Sequence, residues 1–62
     1  MKKPECKLIN ENGNIFNLLA ITRKTLLANG FYNESIEVVR RVTSSHSYDE
    51  ALKILGEYVE IV

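Results

Sequence analysis

Apolar side chains recur at helical spacing in three stretches of this chain and at alternating spacing only near its two ends. Ile15, Leu19, Thr22 and Leu26 fall in one stripe of a helical wheel, widened by Phe16, Leu18 and Leu27, with Lys24 opposite. That spacing predicts a first helix over 15–29. Asn14 stands where an N-cap belongs, its side-chain oxygen able to accept from an amide of the next turn. Gly30 stands where a left-handed residue closes a helix. Ile21 lies off the stripe, among Asn17, Lys24 and Ala28, and suggests a second contact surface.

After Phe31 and Tyr32 a second helix is predicted over 33–44, capped near Asn33. Ile36, Val38, Val39, Val42 and Thr43 share one side of it; Glu37, Arg40, Arg41 and Ser44 share the other. The β-branched run imitates a strand, but the 3.6-residue spacing and the Glu37–Arg41 pair at i,i+4 select helix. "TSSHS" is a loop. The third helix, over 48–58, has the clearest start in the chain: Ser47-Tyr48-Asp49-Glu50 is a capping box, in which the Ser47 hydroxyl accepts from the Glu50 amide while the Glu50 carboxylate reaches back. Ala51, Leu55 and Tyr58 form its stripe, with Leu52, Ile54 and Val59 beside it, and Gly56 weakens its last turns.

The ends read as extended. Lys7–Ile9 form a short arm halted by "NENGN", where Asn12-Gly13 is a turn signal because both residues tolerate positive φ. "YVEIV" alternates, so residues 59–62 make an extended tail able to lie beside residues 6–9. The fold class expected is mainly α: a compact three-helix domain with a short two-stranded ribbon formed by the N- and C-terminal segments. Residues 1–62 make a single small domain, with no internal repeat, low-complexity tract or linker.

Size now changes the picture. A chain of 62 residues buries only about 60% of its unfolded surface, and domains this small usually add a disulfide, a metal or a partner subunit. Cys6 is the single cysteine, which excludes an intrachain disulfide. Cys6 and His46 together cannot fill the four positions of a structural zinc. Self-association into a homodimer or larger oligomer is the option left. Hydrophobic content of 45% and charged content of 26% fit a folded globular protein. No apolar run approaches the roughly 18 residues that span a bilayer. "MKKPECKLI" has neither the apolar core nor the cleavage site of a signal peptide, and a lone free thiol suits the cytoplasm.

Net charge is zero, which argues against nucleic acid as a partner. Its distribution is uneven. Residues 1–31 hold Lys2, Lys3, Lys7, Arg23 and Lys24 against Glu5 and Glu11, a balance of +3. Residues 32–62 hold Arg40, Arg41 and Lys53 against Glu34, Glu37, Asp49, Glu50, Glu57 and Glu60, a balance of −3. The two halves can complement each other within the fold or head-to-tail between copies.

"CKLINENGNIFNLLAITRKTLLANG" and "RRVTSSHSYDEALKILGEYVEIV" together resemble a family of very short proteins of Gram-positive bacteria, their phages and mobile elements. The shared patterns are G-N-x-F at the first helix, S-x-S-Y-x-E-A-L at the third and Y-V-E-I in the tail. The resemblance covers nearly the whole chain. It implies the same order of elements and a mobile-element setting, and carries over no catalytic residue. Asn10 departs from the pattern, in which a glycine is expected before the turn.

No arrangement of residues points to catalysis. Spacing does not link Cys6 or any serine to His46 as a nucleophile–base pair. His46 among serines reads as a solvated loop residue, and Cys6 as a small core residue. Asp49 and Glu50 are accounted for by capping and the helix dipole. Neither a metal nor a cofactor is expected.

The mouth of the first helix is the candidate binding site. A glycine-containing turn feeding a helix N-terminus presents free amides that suit a phosphate or carboxylate. On that reading Gly13, Asn14 and Asn17 hold an anion, helped by Arg23, Arg40 or Arg41 from the same or another subunit. On the alternative reading the mouth is only a turn and a cap. The function read from the sequence is a small non-enzymatic oligomeric binding protein that sequesters a phosphate-bearing, nucleotide-type ligand, such as a host defence signal. That is an analogy from size and genomic setting, not from a motif. The alternative is an interaction module or inhibitor of a larger host protein. A DNA-associated regulator ranks last, because the third helix carries one lysine against three acids.

Overall fold

The side-chain oxygen of Asn14 accepts from the Phe16 amide at 2.9 Å and opens helix α1, Ile15–Ala28. In the computed structural model, which describes residues 2–62, α1 ends as Gly30 foretells. Gly30 takes φ 82°, the Phe31 amide donates to the Leu26 carbonyl at 2.8 Å, and the Gly30 amide donates to the Leu27 carbonyl at 3.1 Å. This pair of bonds is a Schellman motif, and it turns the chain back within three residues.

The tight turn moves the next helix forward. Helix α2 spans Tyr32–Thr43, with Phe31 at its N-cap making no side-chain bond. Asn33 is therefore inside the first turn and caps nothing. The buried face of α2 also differs from the helical-wheel expectation. Ser35, Val38 and Val42 are buried, whereas Ile36 is 68% exposed and Thr43 faces solvent. Counting apolar residues alone misplaces this face, because the small Ser35 packs inside with its hydroxyl donating to the Tyr32 carbonyl at 2.6 Å.

Helix α3, Tyr48–Tyr58, has the expected bounds. The Ser47 hydroxyl accepts from the Glu50 amide at 3.1 Å. The Glu50 carboxylate reaches one residue further back than a capping box requires and accepts from the His46 amide at 3.0 Å. Ser47→Ala is expected to cost about 0.5–2 kcal/mol in a thermal or urea melt. Asp49→Ala removes only a dipole contribution of about 0.3–1 kcal/mol. The reverse ranking would mean that Asp49 has a partner other than the helix end.

The terminal ribbon is real and parallel. Strand β1, Glu5–Cys6, pairs with β2, Glu60–Ile61, in the register Glu5↔Glu60 and Cys6↔Ile61. It starts two residues before the expected arm, which continues it: the Leu8 and Ile9 amides both donate to the Val62 carbonyl, at 2.9 and 3.0 Å. Positive φ falls on Asn10, at 74°, rather than on Asn12 or Gly13. Asparagine is the residue after glycine that best tolerates that conformation, so Asn10 can make the turn there without a glycine. One core joins Cys6 and Leu8 from the arm with Leu18, Leu19 and Leu26 of α1, Val38 and Val42 of α2, and Ala51, Ile54, Leu55, Tyr58 and Val59. Ile21 packs against this core on the flank where Thr25 approaches Cys6. Its position off the main stripe is thus explained within one chain.

Candidate binding cleft

Two helix starts meet at one end of the molecule. The Tyr48 hydroxyl, on the first residue of α3, donates to the Gly13 carbonyl just before α1. This bond ties the mouths of α1 and α3 together. Between them and the end of α2 lies an open cleft of about 380 Å³. Ile15, Val42 and Ala51 give it an apolar base, the rings of Phe16, Tyr48 and His46 stand around it, and Thr43, Ser45 and Ser47 add hydroxyls. Phe16 is 67% exposed and Tyr48 46% exposed. The helical wheel places Phe16 in the core stripe, but it lies one step past the edge of that stripe and stays largely exposed at the cleft.

The six residues expected to hold an anion are not brought together. Gly13, Asn14 and Asn17 share the α1 mouth, but each has a structural partner. The Gly13 carbonyl accepts from Tyr48, the Asn14 oxygen from the Phe16 amide, and the Asn17 side-chain amide donates to the Asn12 carbonyl at 2.9 Å. The Asn12 side chain in turn accepts from the Asn14 amide at 2.9 Å. These bonds fasten the turn to the helix. None of Arg23, Arg40 and Arg41 lines the cleft. Arg23 and Arg40 are exposed on α1 and α2.

Arg41 is committed to the α2–α3 seam. Its guanidinium donates to both Glu57 oxygens, at 2.7 and 3.1 Å, and to the Tyr58 hydroxyl at 3.2 Å. It also lies 5.6 Å from the centre of the Tyr58 ring. The Tyr58 hydroxyl donates to Glu37. The bond to Arg41 holds the Glu57 carboxyl below the usual carboxylate range, and the bond to Glu57 raises Arg41 above its ordinary value. Burial pushes the Tyr58 phenol up; Glu37 adds to that and Arg41 opposes it. Glu37, Arg41, Glu57 and Tyr58 therefore act as a clamp between two helices, and they replace the expected Glu37–Arg41 pair within α2.

Cys6 is buried, with the Thr25 hydroxyl 3.4 Å from its sulfur. Among the described residues no group of three His, Cys, Asp or Glu side chains is placed to hold a metal ion. No helix among them is long and apolar enough to cross a membrane. Comparison with protein-family models, with curated proteins and with solved structures finds no match for this chain.

Proposed function

We propose that this chain is a small non-enzymatic binding protein that holds a nucleotide-type, phosphate-bearing ligand in the cleft between the α1 and α3 mouths. The observation that carries the reading is the pair of exposed rings, Phe16 and Tyr48, that line one apolar cleft where two helices begin. A planar base stacks on such rings, and the cleft lies within the roughly 300–1,000 Å³ range of small-molecule sites. The phosphate end belongs at α1. That helix has no acid in its first turn, whereas α3 starts with Asp49 and Glu50. First-turn amides not taken by the Asn14 cap point out of the α1 end, where the helix dipole favours an anion. The grip is thus aromatic first and backbone second, with Gly13, Asn14 and Asn17 shaping the mouth. The resemblance to short phage and mobile-element proteins suits a sequestering role toward a host signal.

The test is a thermal-shift and calorimetric screen of the purified protein against mono-, di- and cyclic nucleotides. A bound ligand at about 100 times its Kd adds about 2.7 kcal/mol to apparent stability. Phe16→Ala, at an exposed position, is expected to abolish that shift while changing intrinsic stability by no more than about 0.5 kcal/mol. Asn14→Asp is expected to keep the cap, because aspartate caps as well as asparagine, and to weaken binding by adding charge at the mouth. A screen in which no nucleotide shifts the melt, with a protein-only ultraviolet spectrum after purification, would sink the proposal.

A further inference from the structure

Phe16, Ala20, Arg23 and Leu27 on α1 follow the spacing i, i+4, i+7, i+11, and Tyr32, Ile36, Val39 and Thr43 on α2 repeat it. Each set forms one stripe down its helix. The stripes are neighbours at both ends. Phe16 and Thr43 line the same cleft, and the short turn after Ala28 joins Leu27 to Tyr32. The other flanks are occupied: Thr25 of α1 meets Cys6 of β1, and Glu37 and Arg41 of α2 meet Tyr58 of α3. The exposed members of the two stripes thus lie on one face of the α1–α2 hairpin, with Leu27 and Val39 half-buried at its floor. Phe16, Tyr32 and Ile36 are 67%, 65% and 68% exposed on it.

The charge on this face has one sign. Arg23 is exposed within the α1 stripe, and Lys24 and Arg40 are exposed beside the two stripes. Helix α1 has no acidic residue; of the two acids of α2, Glu37 is turned toward Tyr58 and the half-buried Glu34 falls outside the Tyr32–Thr43 stripe. The ion pair that the described residues do form, Arg41–Glu57, lies at the α2–α3 seam and uses none of the three cations. We propose that the α1–α2 face is a docking groove for an acidic amphipathic helix of a partner protein. Apolar side chains at i, i+3, i+4 and i+7 of that helix meet the Phe16–Leu27 and Tyr32–Ile36 stripes, and its carboxylates meet the three cations. Size agrees: three large side chains, each about two-thirds exposed, suit one helix laid along them and fall short of the roughly 800 Å² per partner of a stable globular interface. A second copy is the poorer occupant, because a two-fold contact through this face brings one set of cations against the other with no acid on either. The exposed face of α3, with Asp49, Lys53 and Glu57, carries charges of both signs, and its exposed ring, Tyr48, belongs to the cleft.

The probe is a pair of fluorescent helical peptides with leucine at the four anchor positions and either glutamate or lysine elsewhere, titrated with the full chain. The glutamate peptide is expected to bind at least about tenfold more tightly than the lysine peptide and to weaken in high salt. Ile36→Asp and the double variant Arg23→Glu/Arg40→Glu should each abolish the preference, with circular dichroism showing native helix. Tyr48→Ala, which alters the cleft and not this face, should leave peptide binding unchanged, so this inference and the nucleotide reading fail separately. Equal binding of both peptides, or none, overturns it. So does sedimentation showing a dimer that Ile36→Asp dissolves, or tighter binding of a duplex oligonucleotide or anionic vesicle than of the acidic peptide.

Discussion

A chain that stops at Tyr58 is expected not to fold. The last four residues carry Val59, which is 1% exposed, and they close the ribbon over Cys6 and Leu8. Burying a valine contributes about 1.5–3 kcal/mol. The Glu60 amide donates to the Pro4 carbonyl, the Val62 amide to that of Cys6, and the Val62 carbonyl accepts from Leu8 and Ile9. Each such bond contributes a net of about 0.5–1.5 kcal/mol. Together the loss is about 4–9 kcal/mol, against a total stability of about 3–9 kcal/mol for a domain this size. The truncated chain should therefore lack a cooperative thermal transition and most of its helical circular dichroism. A cooperative melt with native helix content would show that the three helices hold without the strap.

That strap illustrates what the sequence displays and what it hides. The alternation of "YVEIV" announced an extended tail, and the apolar "CKLI" a partner for it. Parallel pairing and its register were not legible, because they depend on where α3 delivers the chain relative to α1. Helix ends were legible wherever a local side chain or glycine fixes them, as at Asn14, Gly30 and Ser47. The start of α2 was not, since Phe31 contributes no capping side chain and the boundary follows from the Schellman turn before it.

The candidate site was legible only in part. Asn14 showed where α1 begins, and the structure uses its oxygen as the cap that the sequence foretold. The arginines could not be placed from spacing, because Arg41 is drawn to Glu57, sixteen residues away. Phe16 was hidden for a general reason. A wide apolar stripe does not say which edge is covered until the neighbouring helix is in place, and α2 lies so that Phe16 stays outside.

Leu55→Ala and Ile36→Ala are expected to differ sharply, and the contrast tests which sides of the helices are covered. Leu55 is fully buried and packs within the single core, so truncation leaves a cavity and costs about 2–5 kcal/mol. In a domain with about 3–9 kcal/mol to lose, that variant should melt tens of degrees lower or be largely unfolded at room temperature. Ile36 has the same character in the sequence and would be ranked with the core by its helical-wheel position. At 68% exposure its truncation should change stability by no more than about 0.5 kcal/mol. The comparison is read from urea melts at two protein concentrations. If Ile36→Ala costs as much as a core substitution and its cost grows with concentration, then Ile36 is covered by another copy in solution. The self-association expected from the chain's small size would then run through the α1–α2 face in spite of its cations. If the cost is small and independent of concentration, the core described by Leu26, Val38 and Leu55 is sufficient for one chain, and the α1–α2 face is free for a different partner.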